Sequence, residues 1–178
     1  AYLTHYEGLL NFATLPFYWP SYERERGKPQ HEMMAKTARW CKDHHITTKG
    51  HPLAWNYSDA RWFPSDPDEL FGLQVARVGD CVKRFRGLID IWDVVNEAIS
   101  DGPGGLRDSQ WRRIIGDDFI EQAFRFARNA DPRAELYYND YGLVDRRKRA
   151  RTIVMLKGLI ERGVPIDAVG MQGHYSLD

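Results

Sequence analysis

Residues 89–98 read Ile89-Asp90-Ile91-Trp92-Asp93-Val94-Val95-Asn96-Glu97-Ala98, a short apolar run that ends abruptly in an amide and a carboxyl. Its length and branched aliphatic residues fit a buried strand better than a helix. The loop Ser100-Asp101-Gly102-Pro103-Gly104-Gly105 follows directly. Asn96 and Glu97 therefore stand where a strand delivers side chains to a surface.

Comparable apolar runs lie at Leu9–Leu15, Ile46–Leu53, Glu135–Tyr138 and Ile166–Met171, and helical periodicity fills the intervals. Phe71, Val75, Val78, Val82 and Phe85 recur at spacings of four and three, behind Asp66-Pro67-Asp68-Glu69. That opening supplies an N-cap, a proline at the first helical position and acids facing the positive helix end. Met33, Thr37, Trp40, Cys41 and His44 mark an earlier helix. Phe119, Ala123, Phe124 and Ala127 mark a third, stopped by Asp131-Pro132, and Ile153, Leu156, Leu159 and Ile160 a fourth, closed by Gly163.

Alternation of this kind implies parallel strands with crossover helices, in an open sheet or in a (β/α) barrel. The strand ends favour the barrel: His51 and Trp55, Asn96 and Glu97, Asn139 and Asp140, and Gln172 and His174 follow successive runs. In a barrel such ends converge on one face, where active sites sit. No glycine-rich phosphate loop follows the first strand, which argues against a nucleotide site. The expected fold is a TIM-type (β/α)8 barrel, present only in part, because such barrels need eight strands and about 250 residues. The sequence stops at Tyr175-Ser176-Leu177-Asp178, just past a predicted strand, and all 178 residues are read as one partial catalytic domain.

Composition agrees with a folded domain and excludes several function classes. Hydrophobic residues make up 43% and charged residues 28%, which argues against disorder. Lys plus Arg and Asp plus Glu are 25 each, so no net charge marks a nucleic-acid or membrane partner. No apolar stretch is long enough to span a bilayer, and Ala1-Tyr2-Leu3 does not open a signal peptide. A processed secreted protein has the same appearance, and the expected location is extracellular. Cys41 and Cys81 fall on inward helix positions and read as buried thiols, with a disulfide between neighbouring helices as the alternative. Arg146-Arg147-Lys148-Arg149 and Arg151 read as a solvated basic face, and His44-His45 as a helix end. No cofactor or metal is expected.

Glycoside hydrolysis needs two carboxyl groups flanking the scissile bond, one of them protonated to assist the leaving oxygen. Glu97 fits the second description, with Asn96 beside it to bond a sugar hydroxyl. On spacing alone, Asn96-Glu97 fits a helix cap equally well.

Four motifs break that tie. Gly50-His51-Pro52-Leu53-Ala54-Trp55, Trp92-Asp93-Val94-Val95-Asn96-Glu97-Ala98, Tyr138-Asn139-Asp140-Tyr141 and Val169-Gly170-Met171-Gln172-Gly173-His174 occur in that order. Together they resemble the successive signatures of glycoside hydrolase family ten, the endo-β-1,4-xylanase family, from its second barrel strand to its sixth. The stretch from Leu106-Arg107-Asp108-Ser109 through Trp111, Ile115-Gly116 and Asp118 resembles it too. The resemblance implies retaining hydrolysis of a β-linked plant polysaccharide, most of all xylan, with Glu97 as acid/base. It implies that Asn96 bonds the sugar 2-hydroxyl, that His51 and Trp55 line the same subsite, and that His174, in the motif with Gln172, orients the nucleophile. It implies an aromatic face from Tyr141 on the leaving-group side, and from Asn139 a polar contact or support for a neighbour.

Two features depart from that pattern. The family's nucleophile is a glutamate on the seventh strand, beyond these residues, so the remainder of the barrel is an implied partner and the isolated segment is expected to be inactive. Asp93 does not fill the gap, since four residues along a strand place it over about 10 Å from Glu97, whereas retaining enzymes need about 5–5.5 Å. The family's second strand usually carries a Glu-Asn-Glu-Met-Lys-like run that binds sugar, but here the stretch reads Thr14-Leu15-Pro16-Phe17-Tyr18-Trp19. Phe17, Tyr18 and Trp19 either stack on sugar or pack beneath a loop. The competing readings are a carbohydrate-binding barrel without catalysis, and a metal-dependent hydrolase using His51, Asp140 and His174, which lacks the ligand spacing of such sites.

Overall fold

The computed structural model describes residues 2–57 and 59–174. Residues 175–178, which follow the last predicted strand, lie outside the described residues. The chain runs α1 (Tyr2–Leu9), β1 (Phe12–Pro16), α2 (Trp19–Tyr22), α3 (His31–Asp43), β2 (Thr47–His51), β3 (Ala54–Trp55), α4 (Pro67–Arg84), β4 (Ile91–Asn96), α5 (Gln110–Ile115), α6 (Phe119–Ala130), β5 (Glu135–Tyr141), α7 (Arg146–Glu161) and β6 (Ala168–Gln172). The strands form one parallel sheet in the order β1-β2-β4-β5-β6, with β3 paired to β4. This is the alternation that the sequence implies, and the sheet is a parallel half-barrel.

Register does the positioning. Trp55 lies opposite Asn96, Asn96 opposite Asn139, Asn139 opposite Gly170 and Tyr141 opposite Gln172. Trp55, Asn96 and Asn139, up to 84 positions apart in sequence (55 to 139), thus share one row at the carboxyl ends of the strands, and Tyr141 and Gln172 pair two residues further along. A shift of one residue would turn the whole row to the other side of the sheet. The register slips between Asp93 and Val95, so this strand does not alternate simply.

Beneath the row, Trp92, Val94, Leu136 and Tyr138 are fully buried. Gly50 makes room for Trp92, because a Cβ there would lie 2.2 Å from the indole ring. α4 starts as its sequence dictates: Asp66 accepts from the Asp68 amide at 2.9 Å, and Pro67 occupies the first turn. Its buried face is Leu70, Gln74, Arg77, Val78, Cys81 and Val82, one step round from the expected stripe, and Phe71 is exposed. The displaced stripe makes room for Arg77, whose guanidinium sits 4.7 Å from the Trp19 ring and donates to the Phe17 carbonyl. Cys41 and Cys81 are both buried free thiols.

Several boundaries differ from expectation. Leu9 ends a helix and Leu10 follows it exposed, so the first strand begins at Phe12, where pairing with Thr47 starts. The strand expected over 46–53 ends at His51, before the cis His51–Pro52 bond, and the short β3 follows outside that range. The helices α2 and α5 are too short to show periodicity. Lys148 is not part of a solvated face: it is 4% exposed and ion-paired. His44 does end α3, its ring stacked on Trp40. Among the described residues no helix is long and apolar enough to cross a membrane.

Candidate active site

Glu97 follows β4 directly, is 8% exposed, and its two carboxyl oxygens are held from two other strands. Trp55 Nε1 donates to Oε2 at 2.9 Å, and Gln172 Nε2 donates to Oε1 at 3.0 Å. The Glu97 amide donates to the Asn139 carbonyl at 2.8 Å. Its backbone has φ of +57°, the left-handed region that a residue with a side chain rarely occupies. Such a conformation costs on the order of 1–3 kcal/mol and persists only where surrounding contacts impose it.

Those contacts come from a charged network on the loop side. Arg107 Nε donates to the Glu97 carbonyl at 2.9 Å, while its terminal nitrogen reaches Asp101 and the Tyr141 hydroxyl, each at 2.7 Å. Tyr141 in turn donates to Asp101 at 2.5 Å. Lys148 bridges Asp101 at 3.0 Å and the fully buried Asp140 at 2.9 Å, with its ammonium 3.6 Å from the Tyr141 ring centroid. Burial opposes charge on Asp101, but hydrogen bonds from Tyr141, Arg107 and Lys148 outweigh it and hold the carboxyl below the usual carboxylate range. Asp140 also accepts from Tyr138 at 2.6 Å and from the Tyr141 amide at 2.8 Å, so both its oxygens are engaged within the protein.

Asn96, 2% exposed, lies beside Glu97 with its Oδ1 accepting from Asn139 Nδ2 at 2.8 Å and Gln172 Nε2 at 3.0 Å. Two donors on one side fix the amide orientation and leave its N–H groups directed elsewhere. Among the described residues no protein group accepts from them. Asn139 thus supports a neighbour, and Gly170 permits this: a Cβ there would lie 2.3 Å from Asn139 Oδ1. His174 bonds the Gln172 side-chain oxygen at 2.9 Å.

On the other flank, His51 Nδ1 meets Asp93 Oδ2 at 2.7 Å, and Lys49 Nζ meets the same oxygen at 2.8 Å. Asp93 is fully buried, and both contacts fall on its Oδ2. Of the three aromatic residues after β1, Phe17 and Trp19 are core. Tyr18 is half-buried, with its ring 5.5 Å from His51 and 5.3 Å from Trp55.

The register thus gathers Glu97, Asn96, His51, Trp55, Asn139, Gln172 and His174 in one mutually bonded or adjacent set, with Tyr141 joined to it through Arg107. Sequence reasoning quoted Arg107 without a role, and missed Lys49, Asp101 and Lys148, whose charges look like ordinary surface in the sequence. His51, Asp140 and His174 each face a different partner. Among the described residues no group of three or more His, Cys, Asp or Glu is placed to hold a metal ion. The arrangement can pass a proton to or from a polar, uncharged substrate while the Asn96 amide N–H bonds its hydroxyls.

A sequence model described as glycosyl hydrolase family 10 matches residues 17–178. An endo-1,4-beta-xylanase of Geobacillus stearothermophilus is 41% identical over 138 residues, covering 73% of this chain and 42% of its own. Endo-1,4-beta-xylanase B of Thermotoga neapolitana is 37% identical, covering 88% of this chain and 46% of its own. Among solved structures, xylanase 10B of Thermotoga petrophila in complex with xylobiose superposes with a TM-score of 0.89 at 33% identity, over 97% of this chain and 54% of that one. A variant solved with xylotriose gives 0.88 at 30% identity, over 95% and 54%. The chain therefore spans about half the length of the relatives it matches. The parallel sheet is the corresponding half of a TIM-type (β/α)8 barrel.

Proposed function

Because the chain belongs to glycosyl hydrolase family 10, we propose that it forms the acid/base half of a retaining endo-β-1,4-xylanase. The observation that carries this reading is Glu97, presented at a strand end with Trp55 and Gln172 on its two oxygens and Asn96 alongside. In the first step Glu97 gives a proton to the glycosidic oxygen as it leaves. A carboxylate from the other half of the barrel attacks the anomeric carbon, forming a glycosyl-enzyme. In the second step Glu97 takes a proton from water, which hydrolyses that intermediate with net retention.

The other residues take roles that their bonding suits. Asn96, its oxygen occupied, offers N–H to the sugar 2-hydroxyl, a contact that strengthens in the transition state. His51, its Nδ1 on Asp93, turns Nε2 toward the sugar, and Trp55 supplies an apolar wall. Gln172 and His174 brace the side from which the nucleophile arrives. Tyr141 flanks the leaving group, with one interaction surface already taken by the Lys148 ammonium. The substrate is a β-linked polysaccharide or oligosaccharide, most of all xylan, and a polymer of that size is met outside the cell.

Glu97→Gln in the complete barrel tests this. The amide cannot give up a proton, so hydrolysis of xylan and other substrates with poor leaving groups should fall by about 10²–10⁴-fold. Aryl glycosides whose leaving group needs no proton should lose much less in the first step. An equal loss on both would show that Glu97 is not the acid.

A further inference from the structure

We propose that Tyr18 is a substrate-contacting residue, whose phenol hydroxyl bonds a hydroxyl of the sugar unit lying against His51 and Trp55. The inference rests on the glycanase reading above and extends it to a position that the shared motifs do not include. Tyr18 belongs to the segment that replaces the polar run expected after β1, and packing sorts that segment's three aromatic residues unequally. Phe17 is wholly enclosed, its ring 4.9 Å from Trp92 and 5.1 Å from Phe85. Trp19 is 2% exposed, with its indole N–H on Glu23 at 3.0 Å and Arg77 over its face. Both have their partners inside the protein, and Tyr18 between them turns the other way.

Three observations place its ring in the cleft. Pro16 pairs with His51, and the Phe17 amide donates to the His51 carbonyl at 2.6 Å, so Tyr18 emerges at the mouth of the barrel level with the histidine. Its ring touches His51 edge-on and lies tilted against Trp55, the residue that donates to Glu97. Its phenol also senses the active-site acids: burial first, then the negative charges of Glu97 and Asp93, raise its pKa. The group therefore stays a neutral O–H donor. Among the described residues no protein group hydrogen-bonds that hydroxyl, although the ring is fixed on two sides. A donor held rigidly at a strand end, with no protein acceptor, is suited to a hydroxyl of the ligand. A site that bonds one substituent discriminates sugars by that substituent, so Tyr18 restores part of the selectivity that the lost polar run would supply.

The test compares wild type, Tyr18→Phe and Tyr18→Ala in the complete barrel, with nitrophenyl β-xylobioside and its monodeoxy analogues. Each analogue lacks one hydroxyl of the sugar unit that lies against His51 and Trp55, and the readout is kcat/KM. Loss of one neutral hydrogen bond should lower kcat/KM of Tyr18→Phe on the xylobioside about three- to tenfold, with Tm unmoved. On the analogue that lacks the bonded hydroxyl, wild type and Tyr18→Phe should be equal. Tyr18→Ala should lose more on the parent substrate. A Tyr18→Phe protein equal to wild type on the xylobioside, or one that slows the parent and every deoxy analogue by one common factor, would overturn the inference alone. Wild-type protein that does not cleave the xylobioside would overturn the glycanase reading itself, and this inference with it.

Discussion

Replacing Arg107 should damage acid catalysis selectively, although this side chain does not touch the Glu97 carboxyl. Arg107 links the Glu97 carbonyl to Asp101 and Tyr141 and is only 12% exposed. A hydrogen bond from a charged donor contributes about 1.5–3 kcal/mol. The upper end is unrealistic here, because Asp101 is 53% exposed and solvent can replace part of the loss. The left-handed backbone at Glu97 stores a comparable amount, on the order of 1–3 kcal/mol. Without the anchor, that strain is free to relax by turning the carboxyl away from Trp55 and Gln172. A shift of about 1.5–2 kcal/mol against the productive arrangement corresponds to about 10- to 30-fold in rate. Arg107→Ala should therefore lower kcat/KM on unactivated xylo-oligosaccharides by that factor, and on dinitrophenyl β-xylobioside by less than about threefold. Arg107→Lys keeps the charge but cannot span three acceptors with a planar fork, so it should rescue stability more than activity. Steady-state kinetics on the two substrates, with Tm as the folding control, measures this. Equal loss on both substrates, or no loss in a folded variant, would refute the positioning argument.

Two further outcomes follow from neighbouring geometry. Gly170→Ala places a Cβ against Asn139 Oδ1, forcing apart the Asn139–Asn96 pair. It should cost about 1–3 kcal/mol of stability, the usual range for overpacking, and lower kcat/KM together, as read by denaturant unfolding and kinetics. Asp101's folded pKa lies below its unfolded value, so its contribution is complete above the ordinary carboxylate range. It drains away as pH falls through the folded value. Asp101→Asn should therefore be less stable than wild type at neutral pH, and the gap in Tm should close in strong acid. A gap that widens on acidification would show that Asp101 is not held by the cations around it.

What could be read from the sequence was what repeats or what is chemically unusual. Period and spacing located the α/β alternation, and polar groups at apolar strand ends located His51, Trp55, Asn96, Glu97, Asn139, Gln172 and His174. The structure adds the reason they meet, a register that sets Trp55, Asn96 and Asn139 side by side. Register is a long-range property, and local sequence carries little of it. The same limit hid Lys148 in a basic run, since its burial depends on Asp140 from a different element. Arg107 and Asp101 face each other across a loop whose glycines and single proline give no periodic signal. Tyr18 was separable from Phe17 and Trp19 only by packing against Trp92, Phe85 and Arg77.

Glu97 carries the central claim, and chemical rescue probes it most directly. Glu97→Ala in the complete barrel, given dinitrophenyl β-xylobioside, should form the glycosyl-enzyme but release it slowly for want of a base. Azide needs no base, so it should accelerate turnover and yield the xylobiosyl azide in the β configuration. Absence of any azide effect, or an α-configured product, would contradict the assignment of Glu97 as the acid/base of a retaining enzyme.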